Sequence, residues 1–223
     1  MAKTFVIIFG APGSGKGTQA IRLAEKIKLP LVSTGDLLRA ELEKNSPLGR
    51  IAKKYMDKGK LVPDELLAEF VEHRLKKSDA KNGAIFDGFP RNGEQQEFML
   101  RRIRPALRAG GRDLAVLIDA SDRSIKARLG SRRACVCGAV YNLKTKPPKR
   151  AGICDLCGKK LYIRDDDKPK VTADRLKLYH KQSEPLLDYW LEEGKLIEVN
   201  GDATIDQVWV EMEGKLKEKG LFE

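Results

Sequence analysis

A parallel β-sheet wound with helices on both faces is the fold class this sequence predicts, and three observations predict it. Short apolar runs alternate with longer stretches of helical periodicity; the runs are continuous in apolar residues; and a glycine-rich turn joins the first run to the first helical stretch. A strand buried on both faces needs apolar side chains at successive positions, so the continuity points to parallel strands sandwiched between helices. Strands are expected at residues 4–9, 31–33, 84–87, 114–119 and 196–200. Helices are expected at 16–27, 36–44, 47–58, 63–77, 93–109, 121–131, 168–193 and 205–219. Pro63, followed by Asp64 and Glu65, suits a first helical turn. Proline lacks only an N–H that would have no partner there, and acids favour the positive helix end. There is no internal repeat and no low-complexity tract.

The composition is that of an α/β enzyme with small insertions. The chain has 223 residues, of which 41% are hydrophobic, so a sizeable core is within reach and disorder is not expected. No apolar run reaches the roughly 18 residues that span a bilayer. The start, MAKTFVIIF, lacks a small-residue cleavage pattern and reads as a first strand, and the expected compartment is the cytoplasm. A net charge of +11 invites a nucleic-acid reading. That reading needs a concentrated basic stripe with aromatics between, whereas here the cations are scattered, acids are interleaved and aromatics are only 6%. Nucleic acid and membrane are therefore not the expected partners.

The glycine-rich turn carries the chemistry. Gly10-Ala11-Pro12-Gly13-Ser14-Gly15-Lys16-Gly17-Thr18 follows a strand and opens a helix. Glycines let backbone N–H groups approach an anion, the helix N-terminus adds partial positive charge, and the lysine adds a full one. Gly13, Ser14, Gly15, Lys16, Gly17 and Thr18 are the expected contacts to a nucleotide phosphate; the other reading is a tight strand-to-helix turn. The usual P-loop places Ser or Thr directly after the lysine. Here Gly17 intervenes and Thr18 carries the hydroxyl, a variant that resembles the nucleoside monophosphate kinases.

One segment breaks the alternation. Residues 132–167 are rich in Cys, Gly, Pro, Lys and Arg, with short β-like pieces at 139–143 and 160–164. So short an insertion cannot bury enough apolar surface to fold unaided and needs a staple. All four cysteines lie in it: Cys135 and Cys137 one residue apart, then Cys154 and Cys157 two apart. Four thiolates suit a tetrahedral structural zinc ion, and a reducing compartment disfavours disulfides. The Cys-x-Cys pair departs from the usual Cys-x-x-Cys and tightens the chelate loop. Two disulfides, or four free thiols, are the alternatives. His73 and His180 lie in charged helical stretches and read as surface residues.

Taken together, these motifs resemble the adenylate kinases of the long-lid, cysteine-bearing type over nearly the whole chain. Ser33-Thr34-Gly35-Asp36-Leu37-Leu38-Arg39 is similar to that family's first AMP-binding segment, and Lys60-Leu61-Val62 to a stretch whose backbone lines the AMP site. Asp87-Gly88-Phe89-Pro90-Arg91, followed by Gln95, is similar to the next segment. The resemblance implies Thr34 and Gln95 at the adenine, Arg39 and Arg91 at the AMP phosphate, and a cis bond between Phe89 and Pro90. Arg128, Arg132, Arg164 and Arg175 match the family's phosphate arginines, with Asp166, chosen among residues 165–167 by register alone, as the partner of one of them. Asp87 would hold Mg²⁺ through water or, on the alternative reading, cap a helix. Val140 and Tyr141 would cover the ATP side or simply pack together, and Glu198 would meet the ATP adenine through its carbonyl. The implied architecture is a P-loop core with a five-stranded parallel sheet (1–32, 63–130, 168–223), a helical AMP-binding insertion (33–62) and a zinc-ribbon-like lid (131–167). The implied partners are ATP, AMP and ADP, and the expected state is a monomer.

Elementary electrostatics agrees with that reading. Two nucleotides brought together place about six negative charges in one cleft, each close pair repelling by roughly 4 kcal/mol at an effective dielectric of 20. Lys16, Arg39, Arg91, Arg128, Arg132, Arg164 and Arg175 are cations of the kind such a transfer needs. A nucleotide phosphate is already an anionic nucleophile, so no general base is required. Three rivals use part of the pattern. A pyrimidine monophosphate kinase would share the P-loop and residues 88–91, and Asn92 is reminiscent of that group. A shikimate-type kinase would share the P-loop alone. A zinc-ribbon nucleic-acid binder would leave the P-loop idle.

Overall fold

The computed structural model describes residues 3–56, 62–107 and 110–222, with the backbone alone at Arg39 and Met56. The expected strands form: β1 (Thr4–Phe9), β2 (Leu31–Ser33), β3 (Gly83–Asp87) and β4 (Arg112–Asp119), with β7 (Leu196–Asn200) at the far edge. They make one five-stranded sheet in the order β2-β3-β1-β4-β7, with every pairing parallel. Two further strands, β5 (Arg132–Ala134) and β6 (Val140–Asn142), pair antiparallel in a separate ribbon.

The continuous apolar run of β1 has a direct structural meaning. Phe5, Ile7 and Phe9 face one side of the sheet, where they join Phe86, Phe89, Met99 and Trp190. Val6 and Ile8 face the other, with Ala20 and Leu23 of α1 (Lys16–Ile27) and Val208, Met212 and Leu216 of α9 (Ile205–Glu218). Period-two geometry sends alternate residues to opposite faces, and both faces are covered. The chain leaves β1 towards β2 and later returns to β4 on the other side of β1. That reversal opens a crevice at the carboxyl ends of the strands, the usual ligand position in such sheets.

Between β2 and β3 lie α2 (Thr34–Glu43), α3 (Pro47–Met56) and α4 (Asp64–Leu75). Ser33 caps α2 by accepting from the Asp36 N–H. Ala52, Leu66 and Phe70 form a small cluster with Leu38, Leu48 and Val62, distinct from the sheet's own core. The expected AMP-site residues Lys60 and Leu61 lie outside the described residues, as does the side chain of Arg39.

Two helical expectations need correction. The pattern at 93–109 begins as α5 (Gly93–Phe98), widens into a π turn at Met99–Ile103 and tightens into a 3₁₀ turn at Arg104–Ala106. Pro105, at the end of that run, cannot continue an α-helical ladder. The pattern at 168–193 is two helices, α7 (Pro169–Gln182) and α8 (Leu186–Glu192). Pro185 lacks the N–H and clashes with the preceding turn, so the chain breaks there and re-enters to bury Leu186, Leu187 and Trp190. The preceding α6 (Asp122–Ser131) is capped by Ser121 and leads straight into the ribbon. His73 and His180 are exposed as expected. His180 lies between Glu184 (2.8 Å) and Asp122 (3.3 Å), and the Glu184 hydrogen bond holds its pKa above the ordinary value.

The insertion is built on β5 and β6. The second β-like piece contributes only isolated bridges, Ala134 with Tyr162 and Ile153 with Lys160. Its small core is Cys135, Tyr141 and Cys154 with Ala139 and Leu161. Among the described residues no helix is long and apolar enough to cross a membrane.

The sheet's larger aromatic side yields a stability prediction. Phe86 is fully buried against Phe5 and Phe89. Phe86→Ala is expected to lower unfolding free energy by about 3–5 kcal/mol, from lost burial plus the cavity left behind. Urea denaturation measures it, and a loss below about 1 kcal/mol would contradict this packing.

Candidate active site

The phosphate loop runs from the end of β1 to the start of α1, at the crevice. At Gly13 φ is +90°, and a Cβ there would lie 2.8 Å from Leu129, so glycine lets the loop rest directly on α6. A Cβ at Gly17 would stand 3.3 Å from Asp87 Oδ2. Glycine in the position after Lys16 therefore leaves the Asp87 carboxylate open to the loop, which accounts physically for the departure from the usual motif. Ser14 is buried with no hydrogen-bond partner on its Oγ, and Asp87 Oδ1 is likewise buried and unpartnered. Buried polar atoms are normally paired, so an orphan in the phosphate loop and another at the neighbouring end of β3 fit a place built for a ligand. Asp87 ends β3 and caps no described helix. Thr18 stands exposed in the first turn of α1.

Lys16 sits at the centre. Its Nζ donates to Ala11 O at 3.2 Å. Burial lowers its pKa from 10.5 to about 8; Asp87 opposes that shift, and the charges of Arg91, Arg175 and Arg132 add to it. One ammonium thus feels cations from the segment after β3 and from both sides of the insertion.

On the β3 side the groups hold one another. Thr34 Oγ1 donates to Gly88 O at 2.9 Å, and Arg91 reaches Gly88 O through Nε (2.6 Å) and Thr34 Oγ1 through Nη2 (2.8 Å). The Phe89–Pro90 bond is cis, as expected, and both residues are buried. Gln95 is 3% exposed; its Oε1 accepts from the Arg91 N–H at 2.9 Å and its Nε2 donates to Asp64 Oδ1 at 2.5 Å. Ser183, in the break between α7 and α8, donates to Arg91 O at 2.7 Å.

On the insertion side the arginines rest on carboxylates and carbonyls. Arg128 donates to Ser14 O (3.0 Å) and Ala203 O (3.3 Å), bracing the phosphate loop against the turn after β7. Arg132 grips the fully buried Asp167 carboxylate with Nε and Nη2. Arg175 donates to Asp166 Oδ2 at 2.8 Å and lies 3.9 Å from Asp167 Oδ1. Both acids therefore serve arginines, Asp166 that of α7 and Asp167 that of β5. Arg164 is half-buried beside them, its charge reaching Arg175.

Two expectations fare differently. Val140 is exposed, but the Tyr141 side chain is buried at the cysteines, which restricts what it offers a nucleotide to its backbone. Glu198 is not brought to the crevice. It pairs with Leu117 within the sheet, its side chain is exposed, and its carbonyl accepts from Lys215 Nζ at 2.6 Å. The turn beyond β7 takes the place next to the loop, through the Arg128–Ala203 bond and a 2.9 Å bond from Gln19 Nε2 to Ile205 O. Ala203 carries no side-chain signal, because a site made of carbonyl oxygen leaves no mark in a sequence.

The four cysteines converge despite the short first spacing. Their sulfur atoms all lie within 4.8 Å of one another, and none is in a disulfide. Cys135 Sγ is 3.4 Å from Cys157 Sγ, and Cys137 Sγ is 3.6 Å from Cys154 Sγ. Four sulfurs at about 2.3 Å from a tetrahedral zinc would be about 3.8 Å apart, so the donor set fits that ion. Glycines close both turns: the Gly138 N–H bonds to Cys135 O (3.0 Å) and the Gly158 N–H to Cys154 O (2.9 Å). The Tyr141 hydroxyl lies 3.5 Å from Cys154 Sγ, and this hydrogen bond holds the Cys154 pKa below the ordinary thiol value, favouring thiolate.

Comparison with known proteins agrees with this geometry. Residues 8–195 match the family model described as adenylate kinase. A curated adenylate kinase of Lachnospira eligens is 47% identical over 92% of this chain and 95% of its own. That of Lachnoclostridium phytofermentans is 46% identical over 95% of this chain and 97% of its own. That of Ruminiclostridium cellulolyticum is 46% identical over 91% and 94%. With the phosphate cradle and arginines at one crevice and a cysteine cluster in the insertion, the chain belongs to the adenylate kinase family.

Proposed function

We propose that the protein transfers the terminal phosphoryl group of ATP reversibly to AMP, giving two ADP. The observation that carries this reading is the position of Lys16, whose ammonium feels Arg91 on one side and Arg132 and Arg175 on the other. A group moving between two bound nucleotides needs cations on both sides. The phosphate loop, residues 13–18, would hold the donor phosphates, with Val140 and the backbone of Tyr141 and Ala203 bordering the donor base. Thr34, Val62, Gly88, Phe89, Pro90, Arg91 and Gln95 would form the acceptor site, together with Arg39, Lys60 and Leu61. Arg128, Arg132, Arg164 and Arg175 would clamp the transferring group.

An AMP phosphate oxygen attacks the γ-phosphorus in line as the bond to the β–γ bridging oxygen breaks, and the leaving ADP keeps that electron pair. No proton need move at the start, so the lack of a nearby histidine is no obstacle. Mg²⁺, when bound with ATP, neutralises phosphate charge, and the unpartnered Asp87 oxygen is the group that would hold it. Cys135, Cys137, Cys154 and Cys157 would hold a structural zinc, which cross-links a lid with too little core to order itself. Closure of that lid excludes water, so transfer is to AMP and not to solvent. Thiols grouped for a metal and not paired as disulfides support a reducing, cytoplasmic setting.

A coupled assay of ADP formation with AMP, CMP, UMP and shikimate as acceptors tests the activity. AMP is expected to exceed CMP and UMP in kcat/KM by at least about a hundredfold, because a site hydrogen-bonding one base leaves polar groups unpaired against another. Comparable values for UMP and AMP would overturn the reading in favour of a pyrimidine kinase.

Lys16 gives a pH prediction. Only its cation helps to bind phosphate, and in the free protein it loses its proton near pH 8. The kcat/KM for ATP is therefore expected to fall as pH rises through about 8, while kcat, measured with phosphates already bound, holds to higher pH. Lys16→Met should remove that limb and cut turnover more than a hundredfold with the melting transition retained. Turnover above a tenth of the parent's would exclude the assigned role.

Metal analysis of protein purified without added zinc should find one ion per chain. Chelation or Cys154→Ser should lower the melting temperature and leave an unfolded lid detectable by proteolysis. Zero stoichiometry, with four titratable thiols in folded protein, would mean that packing alone holds the insertion.

A further inference from the structure

Asp64 occupies the first position of α4, yet its carboxylate does not cap that helix. Both oxygens instead cross to the start of α5. Oδ1 accepts from Gln95 Nε2 at 2.5 Å, and Oδ2 accepts from Asn92 Nδ2 at 2.6 Å. Asn92 is itself fixed, because its Oδ1 accepts from the Gln95 N–H at 2.9 Å. At the other end of the Gln95 amide, Oε1 accepts from the Arg91 N–H at 2.9 Å. Each end of that amide therefore meets a group of one kind only. A carboxylate accepts and cannot donate, and a backbone N–H donates and cannot accept.

We infer that Asp64 is a specificity-determining residue, which fixes the orientation of the Gln95 amide and so selects a 6-amino over a 6-oxo purine at the acceptor site. The inference rests on the proposed reading of the acceptor base by Gln95. With the amide held this way, Oε1 keeps one acceptor site and Nε2 keeps one N–H. That pair complements adenine, whose exocyclic amino group donates and whose N1 accepts. A 6-oxo purine reverses both groups, with an accepting O6 beside a donating N1–H, and would require the amide to rotate by 180°. Rotation would set Gln95 Oε1 against the Asp64 carboxylate and Nε2 against the Arg91 N–H. Two hydrogen bonds would become two repulsive contacts around a residue that is 3% exposed. Burial matters here, since water cannot relieve a mismatch at such a site.

IMP is the probe, because it differs from AMP at the 6-position and N1 alone. The quantity to measure is the ratio of kcat/KM for AMP to that for IMP, at saturating ATP. Asp64→Asn replaces one acceptor by a donor and tolerates either amide orientation, so the ratio is expected to fall at least about tenfold. Asp64→Ser, which removes the carboxylate and suits a helix start, should give the same fall and serves if Asp64→Asn does not fold. Asn92→Ser keeps a cap for α5 and leaves Asp64 on Gln95, so it should preserve the ratio while lowering the melting temperature. A purely structural Asp64 would lower both rate constants together and leave the ratio unchanged, which would overturn the proposal. A fall for Asn92→Ser equal to that for Asp64→Asn would overturn it too. Gln95→Leu separates the two layers. If Gln95→Leu leaves the ratio at the parent value, the base reading by Gln95 itself fails. If Gln95→Leu collapses the ratio and the Asp64 variants do not, only the role of Asp64 fails.

Discussion

Like charges crowded into one crevice are the constraint from which most of this architecture follows. Burial depresses the pKa of Lys16, and Arg91, Arg175 and Arg132 are close enough for their charges to lower it further. Such a cluster is stable without anionic ligands only if each cation has somewhere to rest. The structure supplies those places. Lys16 rests on Ala11 O, Arg91 on Gly88 O and Thr34, Arg128 on Ser14 O and Ala203 O, Arg132 on Asp167, and Arg175 on Asp166. Most of these acceptors are neutral carbonyls. A phosphate oxygen, being charged, forms the stronger bond and can displace them. Only Asp166 and Asp167 compete on equal terms, and both lie on the side of the crevice next to the insertion.

The scaffold explains why the cations converge at all. Burial of β1 on both faces fixes the sheet, and the chain reversal about β1 places the ends of β1, β3 and β4 beside one another. The phosphate loop leaves β1, and the Asp87–Arg91 segment leaves β3. From β4 the chain passes through α6, which delivers Arg128 and Arg132. The return through α7 brings Arg175 back. Leu129, lying against Gly13, ties the position of α6 to that of the loop. Ser183 ties the end of α7 to Arg91, so the insertion's return helix and the acceptor segment share a direct bond. The two arms of the insertion, α6 and α7, are thereby joined to the phosphate loop and to the Asp87–Arg91 segment through packed, hydrogen-bonded groups.

The sheet was legible because apolar continuity and the strand-loop-helix motif are local signals. The bounds of β1, β2 and β7 follow directly from them, and those of β3 and β4 to within two residues. What was not legible is instructive. The pattern from 168 to 193 keeps helical periodicity across Pro185, and only the missing N–H forces the break. Glu198 lies within β7, and the groups beside the loop are backbone carbonyls of the following turn, invisible to residue type. The β6 tyrosine reads equally well as a cover or as packing; its burial depends on the cysteines that fold around it. The choice between Asp166 and Asp167 had no local answer either. The structure uses both, which no single-partner reading of the run would give. The cysteine cluster was legible in composition, but its closure through a one-residue spacer depended on the tight turns at Gly138 and Gly158.

Asp167 sharpens the account of how the clamp works. Its carboxylate is fully buried, and leaving such a charge unpaired costs about 3–5 kcal/mol. Arg132 therefore cannot abandon it for a phosphate unless another cation takes over. Arg132 grips Asp167 through Nε and Nη2, which leaves the Nη1 side of the guanidinium for a second anion. Arg175 stands 3.9 Å from the same carboxylate while bonded to the half-exposed Asp166. Asp166 can return to water at little cost, so Arg175 is the arginine able to change partners. Arg132 is thus held by a buried carboxylate and Arg175 by a half-exposed one, and the Arg175 contact is the cheaper of the two to break. The two neighbouring acids differ in burial, and with it in how firmly each holds its arginine.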